Sequence, residues 1–380
     1  MVKKMKVKDG FAARFAAVQE QKKGNGPHVK ARNWQKAVRW KPKQPIESEQ
    51  PRQKISRGCQ PNIVSCEFDP TFPPKFDSMP DTSTTRNTNI FYVDGNGITM
   101  DYPEDTENER YMTLPLSNLE VIENHESRDN FKVIVGHDPN KKEDEKDEKT
   151  FVVLKVSANQ AHVNPWKMKA HQKVFELLLA TMPFVKRGGA RSGVESKYIC
   201  YGHRKNPLDC ELGKYTSKPG VSDKVKKKLE KGVGDLVYTI EGRSMKALKR
   251  AHLIGEGRDD FERVQKTFNL PSITGGDGVA TQLALAKGYC SPVHVDDDYY
   301  YSTLSCYDAT ANKDQVLYHF CFPSYGIAIP MCSGDIILFN PLVLHCATNP
   351  TVETAFIYSL YVSNKTCNTY VATKDNKDMV

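Results

Sequence analysis

Two stretches near the C-terminus decide the fold: His294-Val295-Asp296-Asp297-Asp298-Tyr299-Tyr300-Tyr301 and, further on, Ser333-Gly334-Asp335-Ile336-Ile337-Leu338-Phe339-Asn340, which leads to His345. Both lie among short β-prone segments at residues 281–286, 299–306, 316–322, 326–330, 335–339 and 354–362, divided by turns on Gly288, Pro292, Pro323, Gly334 and Pro350. Many short strands at this spacing predict a sandwich or jelly roll. Within a strand, residues i and i+2 project from one face, so His294 and Asp296 are expected to point inward together. Asp297 then faces the other way and Asp298 sits one period further along, which leaves Asp296 as the carboxylate of choice.

Upstream the character is mixed. Residues 61–105 carry Pro61, Pro70, Pro73, Pro74, Pro80 and Pro103 around β-prone pieces such as 89–93, and read as loop-rich surface with few strands. β-like runs at 131–135 and 151–156 flank the charged stretch 137–150, a solvated hairpin loop. Residues 164–182 open on Asn-Pro and space Met168, His171, Val174, Phe175, Leu178 and Leu179 as a core-packing helix does. Residues 186–191 follow as a flexible basic loop, and 222–231 and 243–251 read as two basic helices with solvated faces. Gly275-Gly276-Asp277-Gly278 has neither a Walker lysine nor GxGxxG spacing, so it reads as an entry loop to the β region. Cys200, His203 and Cys210 lack a fourth ligand at zinc spacing and read as packing.

The whole chain has 380 residues, 39% hydrophobic and 26% charged, with 22 Pro and 24 Gly, which excludes a wholly disordered, collagenous or coiled-coil protein. No apolar run approaches the roughly 18 residues of a membrane helix, and the lysines of residues 1–8 precede no apolar segment, so neither membrane insertion nor secretion is expected. Ten cysteines without a CxxC pair read as reduced thiols in a nuclear or cytosolic protein. The net charge of +8 is uneven: residues 1–60 hold 16 Lys and Arg against 4 Asp and Glu, a balance of +12 that leaves −4 for the rest. This segment is expected to be a basic, largely disordered tail. Arg32, Trp34, Lys36, Arg39 and Trp40 could meet the phosphates and bases of a nucleic acid, the plainer use being a solubilising or nuclear-import tail.

Two histidines and one carboxylate form the facial triad that holds Fe(II) and leaves three adjacent positions open. Neutral imidazoles with a single carboxylate also leave the metal a net positive charge, which favours an anionic chelator. The plainer readings are a surface loop for His294 and a core histidine at a strand end for His345. Cys346 beside His345 is poorly placed for a Cys-His nucleophile, since adjacent strand residues face opposite ways. With His294 and Asp296 as H-x-D, Gly334 and Asp335 as the G-D turn and His345 as the distal ligand, residues 273–362 resemble the Fe(II)/2-oxoglutarate-dependent dioxygenases. The resemblance implies an α+β fold: a double-stranded β-helix, or jelly-roll, core at about 273–365 in the C-terminal half. That core would lie within a dioxygenase-like domain at 61–380, with helices packed outside and the flexible basic tail at 1–60. It also implies Fe(II), O2 and an electron-donating co-substrate.

Members of that family carry Arg or Lys on the last strand, often as R-x-S, to pair with the 2-oxoglutarate carboxylate. Aligning Ser359 puts Ile357 at that position, and the first basic residue afterwards is Lys365. Lys313 or His319 on an earlier strand could take over, helped by hydroxyls of Tyr300, Thr303 or Ser305. Otherwise the donor is an ascorbate-like reductant, which has no distal carboxylate.

A large basic extension before the metal core also resembles the ten-eleven-translocation and J-binding-protein branch, which oxidises thymine or 5-methylcytosine in DNA. That likeness implies a base flipped into a pocket, Tyr299, Tyr300 and Tyr301 as a stacking wall, and Lys186, Arg187 and Arg191 with the tail on the phosphates. The expected protein is a nuclear or cytoplasmic monomer that binds DNA and no membrane. A non-catalytic nucleic-acid-binding jelly roll and a protein or small-molecule hydroxylase are the other readings.

Overall fold

A computed structural model describes residues 62–67, 88–94, 109–122, 131–137, 151–156, 165–185, 198–205, 212–250, 272–274, 279–296, 298–299, 301–312 and 314–368. The expected tail at 1–60, the basic loop at 186–191 and the glycine loop at 275–278 lie outside them, as does the boundary at residue 61.

The described residues make an α+β fold. Its strands are β1 (Asn62–Glu67), β2 (Thr88–Asp94), β3 (Glu109–Pro115), β4 (Glu120–Val121), β5 (Phe131–His137), β6 (Phe151–Val156), β7 (Tyr198–Lys205), β8 (Leu212–Lys214), β9 (Gln282–Lys287), β10 (Ser302–Tyr307), β11 (Val316–Phe322), β12 (Ile327–Cys332), β13 (Ile336–Phe339), β14 (Cys346–Ala347) and β15 (Phe356–Tyr361). The two long helices are α1 (Pro165–Thr181) and α2 (Asp223–Arg250). A nine-stranded sheet runs β1-β5-β6-β13-β10-β15-β9-β7-β8, a four-stranded sheet runs β14-β11-β12-β4, and β2 pairs with β3 alone.

The period-2 alternation of the strands decides which face each side chain joins. From the larger sheet, Ile336, Leu338, Tyr358, Leu360, Leu283 and Leu285 pack against Phe175 and Leu178 of α1 and Leu229, Val233 and Leu236 of α2. The intervening residues Ile337, Phe339, Ile357, Leu304 and Cys306 face the smaller sheet, where they meet Tyr318, Phe320, Phe322, Ile327 and Ile329. The outer face of the smaller sheet carries Cys321, Ala328 and Cys346 against Val93 and Leu119. Burying both faces of the larger sheet is what makes its strands read as near-continuous apolar runs.

The structure corrects several expectations. The two basic helices are one, α2, because Val233, Leu236, Val237 and Ile240 continue the helical stripe through the intervening residues. Gly232, Gly234 and Gly242 hide that continuity in the sequence, since glycine is a poor helix former. Gly232 has a packing reason: a Cβ there would lie 2.9 Å from Cγ2 of Val174 on α1. Residues 61–105 are not simply loop-rich surface, because β2 buries Phe91, Tyr92 and Val93. The strand expected at 299–306 begins only at Ser302. The H-x-D pair does not sit on a regular strand, and His294 makes an isolated bridge to His345 instead.

Candidate metal centre

His294, Asp296 and His345 come together, their candidate ligand atoms all within 4.8 Å of one another, and among the described residues no other such group forms. The backbone explains how residues so distant in sequence meet. The N–H of His294 donates to the carbonyl of His345 at 2.9 Å, and the N–H of His345 returns the bond at 2.9 Å. Asp296 is fixed by its own N–H, which donates to Pro341 O at 2.8 Å on the segment leading to His345. The imidazole centroids are 4.5 Å apart.

Each imidazole is oriented by a carbonyl two residues before it. His294 Nδ1 lies 2.6 Å from Pro292 O, and His345 Nδ1 lies 2.8 Å from Val343 O. A carbonyl only accepts, so each Nδ1 carries a hydrogen, and Nε2 is the nitrogen left to take a metal. Both Nε2 atoms face Asp296, that of His294 at 3.6 Å from Oδ1 and that of His345 at 3.4 Å from Oδ2. The side chains are 12% exposed for His294, 3% for His345 and 29% for Asp296, so the centre opens to solvent on its carboxylate side.

Burial lowers the pKa of His294, the His345 ring adds to this, and Asp296 opposes it. Burial alone would raise Asp296, but His294 and His345 outweigh it and hold the carboxyl well below its usual range. A neutral imidazole beside an ionised carboxylate is the protonation state that a divalent cation requires of its ligands. The donor set fits Fe(II): two imidazole nitrogens, each oriented by a backbone carbonyl, and one carboxylate oxygen within reach of both.

Rings close the site on the inner side. Phe339, Phe320 and Phe322 lie 4.8, 5.4 and 6.5 Å from the His345 ring, centroid to centroid. The terminal Phe of the G-D-x-x-L-F run and the alternating aromatics of β11 were the sequence signal for this wall.

The other expected site residues are scattered. Lys313 and Tyr300, with Arg32, Trp34, Lys36, Arg39, Trp40, Lys186, Arg187 and Arg191, lie outside the described residues. Tyr299 and Tyr301 are half-buried, and the Tyr299 N–H donates to Val362 O at 2.7 Å. Ser359 is half-buried on β15, opposite Leu304 of β10, and Lys365 is exposed. His319 is buried on β11 with no hydrogen-bond partner at Nδ1, its pKa lowered to about 4 by burial and then by Lys155. Ile357 packs in the apolar core between the sheets, so no cation stands at the position where the resemblance expects one.

Lys155 is a residue that no pattern in the sequence marks. It is buried at 2% exposure, pairs with Asp335 Oδ2 at 3.2 Å and donates to Pro330 O, linking the larger sheet to the smaller.

No family model matches the chain, and no curated protein matches it. Among solved structures it is similar to NgTET1 in complex with 5mC DNA, with a TM-score of 0.40 and 10% identity over 69% of this chain and 91% of that one. It is also similar to a Pseudomonas putida prolyl-4-hydroxylase, with a TM-score of 0.29 and 12% identity over 54% of this chain and 91% of that one.

Proposed function

We propose that the chain is an Fe(II)-dependent oxygenase on a double-stranded β-helix core, with His294, Asp296 and His345 as the metal ligands. The observation that carries this reading is the convergence of the two oriented imidazoles and the carboxylate within 4.8 Å of one another. Bound iron supplies the activation of O2 for attack on a substrate C–H bond. The chain's own residues do the rest. Pro292 and Val343 fix the imidazole tautomers, Asp296 keeps the ligand set singly negative, and the Phe339, Phe320 and Phe322 wall excludes water from the inner side.

The donor we propose is an anionic chelator, 2-oxoglutarate or an ascorbate-like reductant. Ile357 offers no salt bridge to the distal carboxylate of 2-oxoglutarate, whereas an ascorbate-like reductant needs none. The substrate we propose is a pyrimidine base in DNA, 5-methylcytosine or thymine, in a nuclear setting. The charge of residues 1–60 supports a polyanionic partner.

The test is nucleoside mass spectrometry of DNA containing 5-methylcytosine or thymine, incubated with the protein, Fe(II) and either donor. The reading expects an oxidised base that Asp296→Ala abolishes. Iron binding without a new base under either donor would move the substrate to a protein or small molecule. The same basic segment favours a second reading, a non-catalytic nucleic-acid-binding jelly roll. It expects DNA binding that falls steeply with salt and disappears when residues 1–60 are deleted, with no oxidation of any substrate.

A further inference from the structure

Behind the triad, on the outer face of the smaller sheet, lie two thiols for which the proposed chemistry has no use. Cys346 follows His345 directly in the chain and packs on the opposite side of the sheet, against Val93, Leu119 and Ala328. Its partner in the antiparallel ladder of β11 and β14 is Cys321. Residues paired in this way have Cα atoms about 4.5–5.5 Å apart, within the roughly 4.4–6.8 Å that a disulfide spans. Their side chains share one face of the sheet, and the Cys346 thiol is near enough to add to the upward shift of the Cys321 pKa.

The other described thiols near the centre are placed differently. Cys306 donates to the carbonyl of Cys332 at 3.2 Å and not to its sulfur. Cys290 lies near Cys346 but is not its ladder partner.

We propose that Cys321 and Cys346 close to a disulfide when hydrogen peroxide reaches them, and that this closure loosens the hold of His345 on its metal. Peroxide oxidises one thiol to a sulfenic acid and releases one water. The second thiol then attacks that sulfur, the S–S bond forms, and the hydroxyl leaves as a second water. Two thiols are oxidised and one peroxide is reduced to two waters.

Both cysteines are 0% exposed, and burial pushes the Cys321 thiol well above its ordinary pKa. Burial makes the pair slow to react and closed to bulky reagents, which is why the oxidant proposed is a small neutral one. Closing the bond draws β14 toward β11, and His345 is the residue next to the bond. The backbone bridge to His294 carries the displacement across the triad. The metal half of this proposal rests on the oxygenase reading, whereas the disulfide half does not.

The experiment uses the full chain, free of added metal, with and without hydrogen peroxide. Free thiols are then blocked, and the digest is mapped by mass spectrometry. The expected result is a peptide joining Cys321 to Cys346, absent after reduction and absent in Cys321→Ser. Mn(II) binding, followed by calorimetry on the same samples, should be about tenfold weaker in the oxidised protein and unaffected by peroxide in Cys321→Ser. Absence of the link, or a peptide joining Cys290 to Cys346 in its place, overturns the proposal. A linked protein that binds Mn(II) as tightly as the reduced one overturns its metal half. If the reduced protein binds no Mn(II), it is the oxygenase reading that fails, and the linked peptide still decides the disulfide.

Discussion

His294 and His345 hold each other through two backbone hydrogen bonds of 2.9 Å, the N–H of each donating to the carbonyl of the other. Each ring is then turned by a carbonyl two residues upstream, so a short bridge outside the regular strands sets both imidazoles. The triad is thus a product of backbone pairing, and the stability of the sheets around it bears directly on its geometry.

The Lys155–Asp335 pair is one such support. Lys155→Met leaves the Asp335 carboxylate buried without its cation, at a cost of about 3–5 kcal/mol in urea unfolding. Adding Asp335→Asn should recover part of this loss, because an amide oxygen can still accept the Cys332 N–H that Asp335 Oδ2 accepts at 2.9 Å. A double variant no more stable than Lys155→Met would show that the charge is not the cause.

Glu241 on α2 accepts the N–H groups of Val279 and Ala280 at 3.0 and 2.7 Å, and burial raises its pKa from 4.5 to about 7 despite those bonds. The folded state therefore holds this proton more tightly than the unfolded chain does. Stability from the group is full below pH 4.5 and is lost as pH rises through about 7. Glu241→Gln removes the ionisation. The variant should gain up to about 3 kcal/mol over the parent at pH 8, with the gain vanishing near pH 4. Denaturant melts across that range check it, and a gain independent of pH would contradict it.

Two glycines should respond differently to alanine. At Gly202, φ is 103° and an added Cβ would meet Thr281 O at 2.3 Å, a backbone atom that cannot swing away. Gly202→Ala should cost about 2–4 kcal/mol, from strain and overpacking together. At Gly232 the obstacle is a Val174 methyl at 2.9 Å, and the helical φ suits alanine, so Gly232→Ala should cost less than half as much. Thermal melts of the two variants side by side decide the order, and equal costs would contradict it.

How much of this was legible in the sequence depends on where each element finds its partners. β11 was readable to the residue, because Val316–Phe322 alternates between two buried faces and ends at Pro323. The helix at Pro165–Thr181 was readable from its Asn-Pro start and its apolar stripe. α2 was not, since three glycines interrupt the local propensity and only packing on α1 and the larger sheet restores the helix. The order of His294, Asp296 and His345 was visible as a pattern, but their meeting depends on the bridge between residues 51 apart. Lys155 carries no signal of its own within the β run at 151–156, and only the fold brings Asp335 and Pro330 to it.

The most direct measurement of the central claim is anaerobic Fe(II) binding to the purified full chain, by calorimetry, alongside Asp296→Ala and His345→Ala, with circular dichroism to verify the fold. One Fe(II) per chain is expected for the parent, with affinity lowered at least about a hundredfold in both folded variants. Binding that is unchanged in the two variants, or a folded parent that takes up no Fe(II), would contradict the account.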